Sequence, residues 1–174
     1  MAPGTIFNLQ LVLGYVAWLL FFGTYGWPRL RALDRVEAQR AIATLHSFRF
    51  FGLVFLLPGV IGPNLPAAFA TFAAYGDFAT GVLAILALLT VRLRPLFWLF
   101  VVAFNLVGMA DLIVDYYNAT QVNLPALAGA LGATYAIPII YVPVLMITHI
   151  VAFYVLARPQ PKAAPALAGA AAAS

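Results

Sequence analysis

Several stretches of this chain are long enough to cross a lipid bilayer yet contain no charged side chain. Residues 5–27 and 134–157 have no Asp, Glu, Lys or Arg. A helix needs about 20 mostly apolar residues to span the hydrocarbon of a bilayer. Only 8% of the 174 residues are charged, whereas a soluble domain has about 25%. Because backbone groups in lipid must bond internally, the chain is predicted to be an all-α membrane helix bundle.

Five membrane spans are predicted from apolar length and from the residues that break helices. Pro28 ends the first span, the Pro-Gly and Gly-Pro pairs around 58–62 end the second, and Pro95 opens the fourth. The fifth is expected to be kinked by Pro138 and Pro143. The predicted spans are approximately 5–27, 45–62, 76–91, 95–117 and 134–157.

Four segments lie outside these spans. Residues 29–40 carry the most charge and are predicted to form a short amphipathic helix at the membrane surface. Residues 65–75 are either an interfacial segment or a tilted start of the third span. Residues 118–133 are predicted to be a loop, and the Pro- and Ala-rich residues 159–174 a disordered cytoplasmic tail.

The basic residues predict the orientation. In the five-span topology nearly all of them fall on one side, and the loops around Asn64 and Gln121 have neither Lys nor Arg. The positive-inside rule then places the N-terminus outside and the C-terminus in the cytoplasm of an inner membrane. Five arginines are expected to contact lipid headgroups, Arg49 by extending its side chain to the surface: Arg29, Arg31, Arg35, Arg40 and Arg49.

Polar side chains within the spans are the candidate site residues, because polar groups in hydrocarbon are costly. At about 1.5 Å per residue from the basic anchors, four of them share one layer in the outer half of the bilayer. These are Asp77, Asp111, Tyr15 and Tyr141. Asp115, one turn beyond Asp111, is predicted to be solvated at the interface.

Helical periodicity predicts that the third and fourth spans pack together with Asp77 and Asp111 inside. Small residues recur every four positions around Asp77, and Asn105, Gly108 and Asp111 share one face of the fourth span. Two carboxylates so close in a low dielectric are not expected to ionise together. The layer has three interpretations: interhelical hydrogen bonding, a proton or cation site, or a polar anchor for a lipid or quinone.

His149 is predicted to lie near mid-membrane, at a depth comparable to that of Asn105. It is expected either to form a hydrogen bond, with Asn105 or a free carbonyl, or to ligate the iron of haem b. His46, at the cytoplasmic edge of the second span, is predicted to differ in depth by more than about 10 Å. That separation disfavours a haem held by both histidines.

The sequence contains few features typical of enzymes. There is no cysteine, and the motifs of metalloproteases, serine hydrolases and nucleotide-binding enzymes are all missing. The net charge of +4 is spread along the chain rather than clustered, so no nucleic-acid partner is predicted. We expect a non-enzymatic protein.

Residues 49–92 have an Arg-x-x-Gly start, a broken apolar segment and an acidic residue before a Gly-Leu-rich helix that ends in Thr-x-Arg. In these features the stretch resembles the DoxX-like small membrane proteins, with Asp77 where those usually have Glu. The extra first helix and the Pro-containing fifth span depart from their four-helix pattern. The resemblance implies an accessory membrane subunit of a redox system, near quinone chemistry.

The sequence therefore predicts an accessory or lipophile-binding subunit, in a homo-oligomer or a larger membrane complex. Two alternatives stay open. One is a redox protein that binds haem b or quinone through His149, and the other is a proton- or cation-coupled transporter that uses Asp77 and Asp111.

Overall fold

The computed structural model describes residues 1–158, and all regular structure within them is helical. The α-helices are α1 (Pro3–Phe21), α2 (Trp27–Ala32), α3 (Arg35–Ser47), α4 (Ala67–Leu89), α5 (Arg94–Gln121) and α6 (Val142–Ala157). The first 3-10 segment is Phe48–Leu56 and the second is Leu124–Tyr135, and π-helical turns occupy Phe22–Gly26 and Ile137–Tyr141. The tail predicted for 159–174 lies outside the described residues.

Four continuous helical stretches are long and apolar enough to cross a membrane. They are Pro3–Ala32, Ala67–Leu89, Arg94–Gln121 and Ile137–Ala157. Length and apolar composition of this kind are typical of a membrane protein, and the predicted helix bundle is confirmed. The predicted second span, 45–62, is not one α-helix, because it comprises the end of α3, a 3-10 segment and several turns.

The charged stretch 29–40 does not form a single surface helix, so that prediction is wrong. The chain is extended at Leu33 and Asp34, between α2 and α3. The Asp34 carboxylate caps α3 by accepting hydrogen bonds from the backbone N–H groups of Val36 and Glu37, at 2.8 and 3.0 Å. Helix α3 then turns one face into the protein, where Ile42 is 2% exposed.

Helix α3 runs antiparallel to α6. Three hydrogen bonds join the two helices: Arg35 Nε to Val155 O (3.1 Å), Gln39 Nε2 to Ala152 O (2.8 Å) and His46 Nε2 to Thr148 Oγ1 (3.0 Å). From the first bond to the third, the residue number rises along α3 and falls along α6. The first 3-10 segment continues away from α3, and the turn after it bonds to the second 3-10 segment through Gly62 N and Ala130 O (2.7 Å).

Two apolar clusters fill opposite ends of the bundle. The basic-end core lies near Arg35 and Arg158 and is built from Ile42, Ala43, Ala84, Ala87, Phe97, Val101, Phe104 and Ala152. The opposite-end core is built mainly from Phe7, Phe55, Leu65, Phe69, Ala73, Leu124, Leu131, Ile137 and Ile139. In lipid such contacts stabilise by close packing, which the small residues of α4 allow.

Two other predicted boundaries shift in the structure. Helix α4 begins at Ala67, so the apolar stretch 65–75 is mostly the start of the third predicted span. The predicted loop 118–133 is largely helical, since α5 continues to Gln121 and a 3-10 segment follows. The expected distortion near Pro138 is present as a π-helical turn, where the missing proline N–H interrupts the regular hydrogen bonding.

Candidate functional site

Arg49 is the centre of a buried polar cluster between the two apolar cores. Its side chain is fully buried. The guanidinium donates from Nε to Asp77 Oδ1 at 2.6 Å and from Nη2 to Asp111 Oδ2 at 2.5 Å. Nη1 lies 3.3 Å from the carbonyl oxygen of Gly108. One arginine thus joins the first 3-10 segment to α4 and α5.

The prediction that Arg49 reaches lipid headgroups is wrong. Helix α3 begins at Arg35, about ten residues before the predicted second span. At about 1.5 Å per residue, Arg49 lies roughly 20 Å along the bundle from Arg35. Its charge is therefore satisfied by two carboxylates inside the protein rather than at the surface.

The carboxylates occupy positions predicted from helical periodicity. Asp77 and Asp111 are 5% and 6% exposed and face each other across the α4–α5 contact. The prediction that both lie inside the bundle is confirmed. The sequence did not identify Arg49 as their partner, although it is the one Lys, Arg, Asp or Glu residue between positions 41 and 76.

Three glycines leave the space that the cluster occupies. A methyl group added at Gly76 would overlap the carboxylate of Asp111, and one at Gly52 would overlap that of Asp77. At Gly108 it would lie 2.5 Å from His149 Nε2 and 2.7 Å from Arg49 Nη1. These positions admit no larger side chain unless the cluster shifts.

His149 continues the polar cluster toward α6. Its Nδ1 lies 2.9 Å from Asn105 Oδ1, which confirms the predicted hydrogen bond to Asn105. Its Nε2 lies 3.3 Å from Arg49 Nη1. Arginine only donates hydrogen bonds, so Nε2 is the acceptor and the proton is on Nδ1. His149 is therefore a neutral imidazole with both nitrogens engaged.

His46 stacks on His149, with ring centroids 3.9 Å apart. Its Nε2 donates to the hydroxyl of Thr148 at 3.0 Å, because that hydroxyl already donates to Val144 O at 2.7 Å. Within residues 1–158 its Nδ1 has no hydrogen-bond partner. The prediction that His46 and His149 differ in depth by more than about 10 Å is wrong. The predicted depth of His46 assumed a helix that begins near residue 45, whereas α3 begins at Arg35.

This arrangement does not fit a haem iron bound by His149. An axial histidine ligand directs a nitrogen lone pair at the iron. The Nε2 lone pair of His149 faces Arg49, and its Nδ1–H faces Asn105. The faces of His46 and His149 meet, so no macrocycle lies between the two rings.

The two tyrosines of the predicted layer do not join the carboxylates. The hydroxyl of Tyr15 pairs with that of Tyr116 at 2.6 Å, linking α1 to α5. The hydroxyl of Tyr141 lies 3.5 Å from the carbonyl oxygen of Leu45. Both therefore act as contacts between helices.

A cavity of about 370 Å³ lies beside the cluster, toward the opposite-end core. Apolar side chains make up most of its wall, and Asp77 and Asp115 contribute carboxylates. Residues of α1, α4, α5 and α6, of both 3-10 segments and of the second π-helical turn line it. The lining residues include Phe7, Asn8, Leu11, Phe55, Phe69, Ala73, Tyr116, Ala119, Thr120, Asn123, Leu131, Ile137 and Val142.

Two carboxylate oxygens near this cavity have no hydrogen-bond partner among the described residues. They are Oδ1 of Asp111 and Oδ1 of Asp115, and both atoms are buried. Asp115, predicted to be a solvated interfacial residue, is instead partly buried and lines the cavity. Unbonded acceptors away from water are costly, so each marks a place that a donor would stabilise.

The arginines predicted to contact headgroups remain at the basic end, apart from Arg49. Arg29 donates to Tyr25 O at 2.9 Å, and Arg40 pairs with Glu37 at 2.6 Å on the exposed surface. Arg35 donates to the carbonyl of Val155 and is partly buried. Contact of these residues and Arg31 with lipid stays a prediction.

The chain matches a known family model over most of its length. The family model described as "Domain of unknown function (DUF8737)" matches residues 6–157. That range contains the Arg49 cluster and every residue that lines the cavity. No curated protein and no solved structure matches the chain.

Proposed function

This chain belongs to the family of the domain of unknown function DUF8737, and we propose that it is an inner-membrane protein that binds a lipophilic molecule. The observation that carries this proposal is the apolar cavity with Asp77 and Asp115 in its wall. Its volume of about 370 Å³ falls within the range of roughly 300–1,000 Å³ that small-molecule sites occupy. A lipophile with a small polar end is the class of ligand it suits.

The packing of α1 supports entry of such a ligand from the bilayer. Phe7 is the buried residue of this helix. Its other contacts with the bundle include the close approach of Gly14 to the carbonyl oxygen of Ile139, the Tyr15–Tyr116 pair and the bond from Trp18 to Ile140 O. Apart from Phe7, which belongs to the opposite-end core, α1 buries little of its surface, so its displacement costs less than that of the more deeply buried helices.

The topology proposed for the protein has five crossings, with the N-terminus outside and the C-terminus in the cytoplasm. The second crossing consists of α3 and the first 3-10 segment. At about 1.5 Å and 2.0 Å per residue they extend roughly 37 Å, which exceeds the hydrocarbon thickness of about 30 Å. The antiparallel contacts with α6 and the basic residues at one end support this topology.

In this proposal the protein acts by binding rather than by catalysis, as an accessory subunit of a membrane complex. Exposed apolar side chains along α1, such as Leu13, Val16 and Leu20, support contact with lipid or with further subunits. Delivery or storage of a lipophile needs no reaction at the cavity.

Proton- or cation-coupled transport is a second candidate function. It is favoured by the unpartnered oxygen of Asp111, which is able to accept a proton beside Arg49. Transport predicts that Asp111→Asn abolishes pH-driven flux in liposomes while the protein remains folded. Equal flux in the variant and the wild type, or none in either, would exclude this function.

The binding proposal is tested by native mass spectrometry of protein purified gently from its membrane. Ala119→Phe fills the cavity, since Ala119 lies in its wall, and Ala110→Phe adds the same ring on an exposed part of α5. We expect a co-purifying lipophile in the wild type and in Ala110→Phe, and its loss in Ala119→Phe. Retention in Ala119→Phe, or absence from all three proteins, would overturn the proposal.

A further inference from the structure

We infer that the polar end of the bound lipophile is a positively charged hydrogen-bond donor, so that the ligand is an aliphatic amine anchored by Asp115. This inference rests on the proposed function and adds the chemical class of the ligand. It follows from the balance of donors and acceptors around the cavity.

Charge is the first part of that balance. Three carboxylates, those of Asp77, Asp111 and Asp115, lie in this region with the single guanidinium of Arg49. The guanidinium directs its nitrogens to Asp77, Asp111, Gly108 O and His149. None of these hydrogen bonds goes to Asp115, so its carboxylate is not neutralised by direct contact with Arg49.

The unpartnered atoms are the second part. Within the described chain, Asp115 Oδ1 is buried and unbonded, and so is Oδ1 of Asp111, whose side chain is 4% exposed. A cationic group beside Asp115 would favour the ionised form of this carboxylate, and an ionised carboxylate only accepts hydrogen bonds. A cationic ligand head that donates to Asp115 therefore satisfies both the charge and the unbonded oxygen, and a charged donor gives the stronger bond.

The wall of the cavity excludes the opposite class of ligand. None of the described residues that line it is Lys, Arg or His. A fatty acid or a phosphate-bearing lipid would place a further negative charge beside Asp77 and Asp115, and no cationic side chain in the described wall would pair with it. The apolar remainder of the wall suits an aliphatic chain. An amphiphile with an amine head meets both conditions.

Three C12 probes separate the classes: dodecylamine, dodecanol and dodecanoate. Each is titrated at pH 7 into protein held in nanodiscs of phosphatidylcholine, and binding is followed by native mass spectrometry. We expect the amine to bind about tenfold or more tightly than the alcohol, and the acid to bind most weakly. This order is measured on the wild type and does not depend on any variant folding.

Asp115→Asn tests the assigned anchor, because it removes the charge with little change of shape. Its affinity for dodecylamine is expected to fall about tenfold, to the level of dodecanol. Glu37→Gln is the matched control, since it neutralises an exposed carboxylate on α3, which does not line the cavity. It is expected to leave the affinities for dodecylamine and for dodecanol unchanged.

The outcomes distinguish this inference from the proposed function. Equal binding of amine and alcohol, or an amine preference that survives Asp115→Asn, overturns the amine assignment. The cavity proposal then still stands if Ala119→Phe weakens both probes. If Ala119→Phe weakens neither, the cavity is not the binding site and both proposals fail.

Discussion

The imidazole of His46 lies over that of His149, with their centroids 3.9 Å apart and their planes inclined by 38°. Each ring is fixed by a partner on α5 or α6: Asn105 holds His149, and Thr148 holds His46. The stack thereby joins α3, α5 and α6 directly beside Arg49. Such a packed, hydrogen-bonded pair is a structural feature of the bundle that also limits which cofactors the site admits.

Purified protein is expected to show no Soret band from a haem bound by His149. Both nitrogens of this ring are engaged, one by Asn105 and one by Arg49. The measurement is an absorption spectrum of protein expressed with a supply of haem precursor. A Soret band that disappears in His149→Ala would contradict the expectation.

Arg49→Met is expected to destabilise the protein strongly, because it leaves Asp77 and Asp111 buried without their cation. Removing one partner of a buried ion pair typically costs about 3–5 kcal/mol. The measurement is thermal unfolding in detergent. Arg40→Met is the control, since Arg40 pairs with Glu37 on the exposed surface, where a pair contributes about 1 kcal/mol or less.

A triple variant separates loss of charge balance from loss of packing. If the uncompensated carboxylates cause the destabilisation, adding Asp77→Asn and Asp111→Asn to Arg49→Met should recover most of the lost stability. If the triple variant unfolds at a midpoint as low as that of Arg49→Met alone, the loss of stability comes from the lost packing of the guanidinium and not from its lost charge.

Gly76→Ala is expected to lower stability by about 1–3 kcal/mol, as overpacking a filled interior does. The added methyl group would overlap the carboxylate of Asp111. Gly23→Ala is the matched control, because a methyl group there meets nothing within 4 Å and alanine is the better helix former. Equal unfolding midpoints for the two variants would mean that the cluster adjusts to the methyl group at no cost.

The proposed topology predicts that the two termini lie on opposite sides of the membrane. A reporter that is active only outside the cytoplasm is expected to be active when fused to the N-terminus and inactive at the C-terminus. Insertion at Asn64, in the turn after the first 3-10 segment, should also give activity. Termini on the same side would show that α3 and the first 3-10 segment do not cross, and that four spans is the correct number.

Features of single helices were predictable from the sequence. The apolar stretches of 134–157 and of the other membrane-length helices follow from residue identity alone, since lipid admits a backbone only when its groups bond internally. The placement of Asp77 and Asp111 on facing surfaces follows from the 3.6-residue period. The Asn105–His149 bond follows from equal depth counted along two regular helices.

Features that join distant segments were not predictable in this way. The depth of Arg49 and His46 depends on where α3 begins, which the Asp34 cap decides and the hydrophobic pattern does not show. The change from α-helical to 3-10 rise after Ser47 alters both depth and direction. The cavity exists only because α1 packs against elements more than a hundred residues away.

The sequence by itself therefore determined that the chain forms apolar helices of membrane length and that α4 and α5 carry facing carboxylates. These features depend on local composition and on the 3.6-residue period of the helix. The tertiary structure alone decided that Arg49 is their partner, that His46 stacks on His149 and that a cavity opens beside Asp115. The physical reason is that the partner of a buried charge depends on which segments pack together. The periodicity of apolar residues along one helix carries no information about that packing.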